Sequence, residues 1–234
     1  MAEKDQTKWH APGLFDKVSG EIYKKTYNTP QPPKYQDVFG HTMVELAEQN
    51  DRIVGITPAM PSGCSLNIMM KAMPHRAFDV GIAEQHAVAS AAGLAFAGLH
   101  PVVAVYSTFL NRAFDQLLLD VALHKAGVTF VLDRAGITGD DGPSHNGVWD
   151  LAISGIVPTL RVAAPRDGIR LKELLAESIS VNDAPTLIRF PKGEINPDIP
   201  AFERRDGIDV LYRGESADVL LISIGAMASI CVEA

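Results

Sequence analysis

Cysteine is scarce: Cys64 and Cys231 are the only two in 234 residues, which excludes a disulfide-stapled scaffold and matches no metal-ligand spacing. Two reduced thiols in a reducing compartment are the expected reading. Basic residues are also in deficit, with 21 Lys and Arg against 28 Asp and Glu and a formal charge of -7. A face for a nucleic-acid backbone normally needs the opposite balance, although a local basic cluster for a small phosphorylated substrate is still allowed. No apolar run approaches a membrane span, and the polar stretch Met1–Trp9 lacks the apolar core of a signal peptide. The chain therefore reads as soluble and cytoplasmic, with neither nucleic acid nor membrane as a partner. A phosphate-binding Walker loop, a dinucleotide fingerprint, a nucleophile elbow and a histidine pair at zinc spacing are all missing as well, so no metal ligand is assigned.

What is present is a globular composition, 47% hydrophobic and 21% charged. Residues 1–34 form an expected arm or linker, because Asn28-Thr-Pro-Gln-Pro-Pro33 removes backbone donors and restricts each residue before a proline. From Tyr35 the pattern alternates. The sequence predicts helix over Val38–Ala47, strand over Ile53–Thr57, strand over Arg76–Val80 and helix over Glu84–Ala97. Strand follows over Pro101–Tyr106, helix from about Phe109 to Lys125, strand over Val128–Asp133, and a glycine-rich loop to Gly147. Strand over Leu160–Ala164, helix over Asp167–Ser180 and strand over Thr186–Phe190 complete the series. Such alternation implies an α/β domain over residues 35–195, doubly wound, with a mainly parallel sheet and helices on both faces. The near-continuous apolar strands suit a sheet covered on both sides. Residues 196–216 read as a second linker. Ala217–Gly225 is expected to be a strand, and the short helix after it makes 217–234 the truncated start of another domain.

Four segments just beyond strand ends carry chemistry-bearing residues, where open parallel sheets place their ligands. The first is Asp79-Val-Gly-Ile-Ala-Glu-Gln-His86. Glu84 opens a helix there and is either a carboxylate stabilised by the helix dipole, worth ~0.5 kcal/mol, or a functional acid. The small-residue helix after it suits close packing on the sheet or on a subunit partner. The second is Tyr106-Ser-Thr-Phe-Leu-Asn-Arg112. Phe109 is either core or a flat platform, and Arg112 either a solvated residue or an anion clamp. The third, Asp133-Arg-Ala-Gly-Ile-Thr-Gly-Asp-Asp-Gly-Pro-Ser-His-Asn-Gly147, is long enough to suggest function. In it Arg134, Asp141 and His145 offer charge and proton transfer. In the fourth, Ile188-Arg-Phe-Pro-Lys-Gly193, Arg189 or Lys192 either binds a phosphate or decorates a turn.

Taken in this order, the four motifs resemble the central, pyrimidine-binding domain of the 1-deoxy-D-xylulose-5-phosphate synthase family, within the transketolase-like thiamine diphosphate enzymes. The resemblance runs from about Tyr35 to Gly193. It implies a transferase that joins pyruvate to D-glyceraldehyde 3-phosphate with loss of carbon dioxide, giving a precursor of isoprenoids, thiamine and pyridoxal phosphate. It further implies thiamine diphosphate and Mg2+ as cofactors. Glu84 would be the cofactor-activating glutamate, and Phe109 would stack on the pyrimidine with Ile82 beside it. Tyr106, Arg112, Arg134 and Lys192 would line the substrate site, while Asp141 and His145 would position substrate or move protons. Lys192 stands where many relatives carry arginine. The Gly-Asp-Gly and asparagine motif that holds magnesium and diphosphate is not found, and Gly139-Asp-Asp-Gly142 lies in the wrong loop. The expectation is therefore a fragment, inactive alone, whose partners are a missing diphosphate-binding domain and a second copy in a homodimer. Transketolase or 2-oxoacid dehydrogenase beta-type chemistry is the alternative within the superfamily. A non-catalytic dimerisation module is the alternative outside it.

Overall fold

A computed structural model of the chain describes residues 13–23, 29–214, 216 and 218–234, together with residues 3 and 9. Asn28 and Ala217, which open the proline stretch and the expected C-terminal strand, lie outside the described residues. The chain divides into two compact units, residues 1–32 and 33–234. In the first, an antiparallel bridge joins Phe15 to Ile22. The turn between them is tied by Asp16, whose Oδ1 accepts from the backbone N–H groups of Val18 and Ser19 at 2.9 and 2.7 Å.

The second unit holds a six-stranded, wholly parallel sheet of β1 (Ile53–Thr57), β2 (Ala77–Asp79), β3 (His100–Tyr106), β4 (Thr129–Asp133), β5 (Arg161–Ala163) and β6 (Thr186–Arg189). The strand order is β2-β1-β3-β4-β6-β5. Alternate residues of the strands enter two different cores. Val102, Ala104, Val131 and Ile188 meet Phe39, Met43, Leu171 and Leu175 on one face. Val103, Val105, Phe130, Leu132 and Leu187 meet Ala87, Val88, Ala91 and Leu117 on the other. Both faces of the sheet are thereby removed from water, which is why its strands lack polar alternation.

The first core is closed by α1 (Tyr35–Gln49) and α5 (Gly168–Ile179). Helix α1 begins three residues earlier than the pattern predicts, as soon as the prolines end, with Lys34 still extended. Helix α5 is capped by Asp167, whose carboxylate accepts from the Arg170 backbone N–H at 2.7 Å. It buries Leu171, Leu175 and Ile179, a stripe with a four-residue repeat. Between β1 and β2 lies the short α2 (Asn67–Ala72), and between β2 and β3 lies α3 (Glu84–Phe96), whose alanines pack flat on the sheet.

Three sequence expectations are corrected. The helix expected over Phe109–Lys125 is a 3₁₀ segment, Ser107–Ala113, followed by a π-helical segment, Gln116–Ala122. Leu110 and Ala113 are buried three apart in the tight part, and Leu117 and Val121 four apart in the wide part. The widening shows in the bonds from Leu123 N to Leu118 O and from Ala126 N to Val121 O, each spanning five residues. The strand expected over Ala217–Gly225 joins no ladder among the described residues, and Val219, Leu220, Leu221 and Ile222 are exposed. An apolar run becomes a strand only when a neighbour takes up its backbone groups. Lastly, the stretch read as a linker contains a hairpin, β7 (Glu203–Arg205) and β8 (Ile208–Val210). Its turn is Asp206-Gly207, both at positive φ, a strong hairpin signal in the sequence. The hairpin is pinned to α5 by Arg170 Nε on Asp209 at 3.0 Å and Arg204 Nη1 on Glu177 at 2.6 Å. Two short helices, α4 (Asp150–Ser154) and α6 (Ala228–Glu233), complete the unit. Among the described residues no helix is long and apolar enough to cross a membrane.

At the amino end of the sheet His100 is buried and its Nε2 lies 2.9 Å from the Thr129 hydroxyl, which lies 2.9 Å from that of Thr186. Burial pushes the imidazole down from its usual 6.5 to about 4. A folded-state value below the unfolded one means that the unfolded chain takes up the proton first. Stability is thus unaffected above about pH 6.5 and falls as the pH drops towards 4, by a total on the order of 3 kcal/mol. Denaturant titrations at pH 7.5, 6.0 and 5.0 should show this decline, and His100→Asn should flatten that part of it.

Candidate functional site

Strands β1, β2, β3, β4 and β6 end on one rim at Thr57, Asp79, Tyr106, Asp133 and Arg189. The strand order reverses between β1 and β3, which opens a crevice where the following loops part in opposite directions. Asp79 fixes two of those loops: its Oδ1 accepts from the backbone N–H groups of Ala59 at 2.8 Å and Gly81 at 3.0 Å. Ile82, next along, is 83% exposed on the rim. Glu84, the first residue of α3, is buried. Its Oε2 receives the Arg112 Nε at 3.2 Å, and the Arg112 side chain is 64% exposed. Arg112 is therefore brought to Glu84, and the paired charge makes the burial of the carboxylate tolerable.

The 3₁₀ turn after β3 returns Phe109 against Tyr106, with ring centroids 5.9 Å apart and planes 20° from parallel. His145, on the long loop, meets the edge of Phe109 at 5.4 Å and lies 6.1 Å from Tyr106. That loop is closed at its base by Gly136 and Gly147, which exchange two backbone hydrogen bonds of 2.8 Å. Asn146 Oδ1 accepts from the Thr138 backbone N–H and hydroxyl, each at 3.0 Å. A methyl group on Gly147 would stand 2.4 Å from the Ser107 hydroxyl, so the loop can lie down only because that residue is glycine.

Arg134 is the centre of the charge network. Its backbone has φ +62°, uncommon for a residue with a side chain. Its guanidinium carbon sits 3.8 Å above the Tyr106 ring centroid. Nη1 donates to the Gly63 carbonyl at 2.9 Å, and Nε donates to Asp141 Oδ2 at 3.1 Å. The second Asp141 oxygen accepts from Lys192 Nζ at 2.6 Å. Partial burial works against the Asp141 carboxylate, but Lys192 and Arg134 outweigh it and hold the group below its usual range. Burial is the main cause that pushes the Tyr106 phenol up to about 12 and the buried Cys64 thiol well up; both are neutral at pH 7. Arg189 does not join this network: its Nε binds the buried Asp150 at 2.7 Å. Of the two cations in that segment, Lys192 alone reaches the other charged groups of the rim.

The nine residues to which the resemblance gives a role lie on this rim, in two neighbouring groups. Glu84, Arg112 and Ile82 belong to the start of α3 and what faces it. Tyr106, Phe109, Arg134, Asp141, His145 and Lys192 form one continuous set of contacts. The loop after β1 escaped the sequence reading, although it supplies Gly63 under Tyr106 and the Met60 sulfur, which accepts from the Tyr106 backbone N–H at 3.3 Å. The glycine and two prolines of Pro58-Ala-Met-Pro-Ser-Gly63, in the loop after a buried strand, were the available signal. Among the described residues no three His, Cys, Asp or Glu side chains gather as a metal site.

A parallel α/β domain with an aromatic and charged rim at its strand ends is the class that fold and site define. The chain belongs to the transketolase pyrimidine-binding domain family, whose description "Transketolase, pyrimidine binding domain" matches residues 31–197. It is 57% identical to the 1-deoxy-D-xylulose-5-phosphate synthase of Leifsonia xyli over 223 residues, 95% of this chain and 34% of that protein. With the synthase of Mycolicibacterium gilvum it shares 58% identity over 236 residues, 99% of this chain and 36% of that protein. The chain thus spans about a third of the length of these relatives. A solved structure described as a split gene transketolase, inactive beta4 tetramer, superposes with a TM-score of 0.63 at 27% identity, covering 74% of this chain and 56% of that one.

Gly63 offers a direct check on the packing of the rim. A methyl group there would lie 2.0 Å from the Tyr106 hydroxyl. Gly63→Ala should cost about 1–3 kcal/mol of stability and displace Tyr106 from under Arg134, read as a lower melting temperature and an altered near-ultraviolet tyrosine signal.

Proposed function

We propose that this chain is the pyrimidine-binding portion of a 1-deoxy-D-xylulose-5-phosphate synthase, a cytoplasmic enzyme joining pyruvate to D-glyceraldehyde 3-phosphate. The observation that carries the reading is the joint presence of a buried Glu84 at the start of α3 and the half-buried Phe109 ring in the neighbouring turn. An aromatic face and a buried carboxyl are the two features an aminopyrimidine needs, so the residues present fit thiamine diphosphate. Thiamine diphosphate, when bound, supplies the electron sink for losing carbon dioxide from pyruvate. Glu84 would hydrogen-bond the aminopyrimidine ring, Phe109 would stack on it, and Ile82 would lie beside it. Arg112, by pairing with Glu84 at 3.2 Å, offsets the carboxylate charge until a ligand arrives, and then faces the substrate.

Tyr106, Arg134 and Lys192 line the acceptor side, where the two cations suit the phosphate of D-glyceraldehyde 3-phosphate. His145 lies against both aromatic rings and would position the acceptor or move a proton on it. Asp141 holds the cations in place at 3.1 and 2.6 Å. Within this proposal, magnesium and the diphosphate would be held by a separate domain. A homodimer is part of the same proposal, supported by the small-residue face of α3 and by exposed Phe96, Leu119 and Leu123.

The test is a chimaera in which this sequence replaces the matching segment of the Leifsonia xyli synthase. It should release carbon dioxide from pyruvate and form deoxyxylulose phosphate, and Glu84→Gln should slow it about a hundredfold or more. A panel of ketose phosphates and of 2-oxoacids other than pyruvate separates the remaining superfamily chemistries. A folded chimaera without product overturns the reading.

A further inference from the structure

Asp133 is the most isolated acid of the rim. It closes β4 directly beside Tyr106 in the parallel ladder. It is 1% exposed, and neither carboxylate oxygen makes a hydrogen bond. An ionised carboxylate buried in this way costs several kcal/mol unless a charge offsets it. The one close charge is Arg134, whose Nη1 approaches Oδ1 at 3.0 Å, although that nitrogen donates to the Gly63 carbonyl. Arg134 in turn is held over Tyr106 in a left-handed backbone conformation.

We propose that Asp133 is a positioning residue that draws the Arg134 guanidinium onto the floor of the rim, offsets its charge, and so sets how tightly the rim takes a small dianion. The inference rests on the reading of Arg134 as an anion-binding group. The other groups facing this pair are Asp141, which stays ionised, the neutral Tyr106 phenol from the end of β3 and the neutral Cys64 thiol from the loop after β1. Lys192 enters only through Asp141. Burial pushes the Asp133 carboxyl up to about 7, against the pull of Arg134. As the pH falls through that value the acid loses its charge, Arg134 is no longer offset, and anion affinity rises.

Sulfate is the probe, because it keeps its double charge between pH 6 and 8. It is titrated into the intact chain while the side-chain signals of Arg134 are followed by nuclear magnetic resonance. Binding should tighten about tenfold from pH 8 to pH 6, which is about 1.4 kcal/mol of lost charge compensation. Asp133→Asn should bind at pH 8 as tightly as the unmodified chain does at pH 6, with no further change. Affinity that is flat with pH in the unmodified chain overturns the proposal, whether or not the variant folds. His145, which meets the Tyr106 ring, is replaced in parallel. A pH dependence that His145→Gln leaves intact and that survives in the double variant with Asp133→Asn overturns the proposal as well. Binding that persists in Arg134→Ala overturns the reading of Arg134 and this inference with it. An active chimaera with pH-independent sulfate binding removes this inference alone.

Discussion

Burial of the parallel sheet on both faces is the constraint from which the rest follows. With Val102, Ala104 and Val131 committed to one core and Val103, Val105 and Phe130 to the other, the middle of the sheet has no room for a polar side chain or a ligand. Chemistry is displaced to the strand ends, and the reversal of strand order between β1 and β3 decides which end opens. The amino end closes instead on the hydroxyl ladder of His100, Thr129 and Thr186. The carboxyl end collects the acids, cations and rings.

At that end the charges are arranged in two separate settlements. Glu84 is offset by an exposed arginine from the next turn, a pairing that solvent can loosen. Arg134 and its carboxylates are held by the ladder, by a left-handed backbone and by a tyrosine ring, and the groups are largely dry. Low local dielectric strengthens each contact inside this second group and raises the cost of each missing partner. The difference sets a solvent-accessible ion pair beside a preorganised, largely buried one.

The strands were legible because they are short apolar runs bounded by turns. Ile53–Thr57 has the same limits in sequence and structure, and the others shift by a residue or so. The elements that escaped did so for physical reasons. The tight and widened turns of 107–122 share a helical composition, and only packing of Leu110, Ala113, Leu117 and Val121 on the sheet distinguishes them from a regular helix. The hairpin at Asp206-Gly207 carried its signal in two residues, but the surrounding prolines and charges concealed it. Residues 217–225 read as a strand from composition, and those of them that are described have no ladder partner to make them one.

The sequence by itself determined the alternation of strands and helices, the covering of the sheet on both faces, and the presence of Glu84, Phe109, Arg134 and His145 just beyond strand ends. These are properties of local pattern, carried by neighbours in the chain. Only the tertiary structure decided that Gly63 comes to lie under Tyr106, that Asp141 is shared by Arg134 and Lys192, that Arg189 is taken up by Asp150, and that Asp133 is left with a single charge for company. Those pairings join residues up to 51 positions apart. Their partners are fixed by strand order and register, which no local stretch of sequence contains.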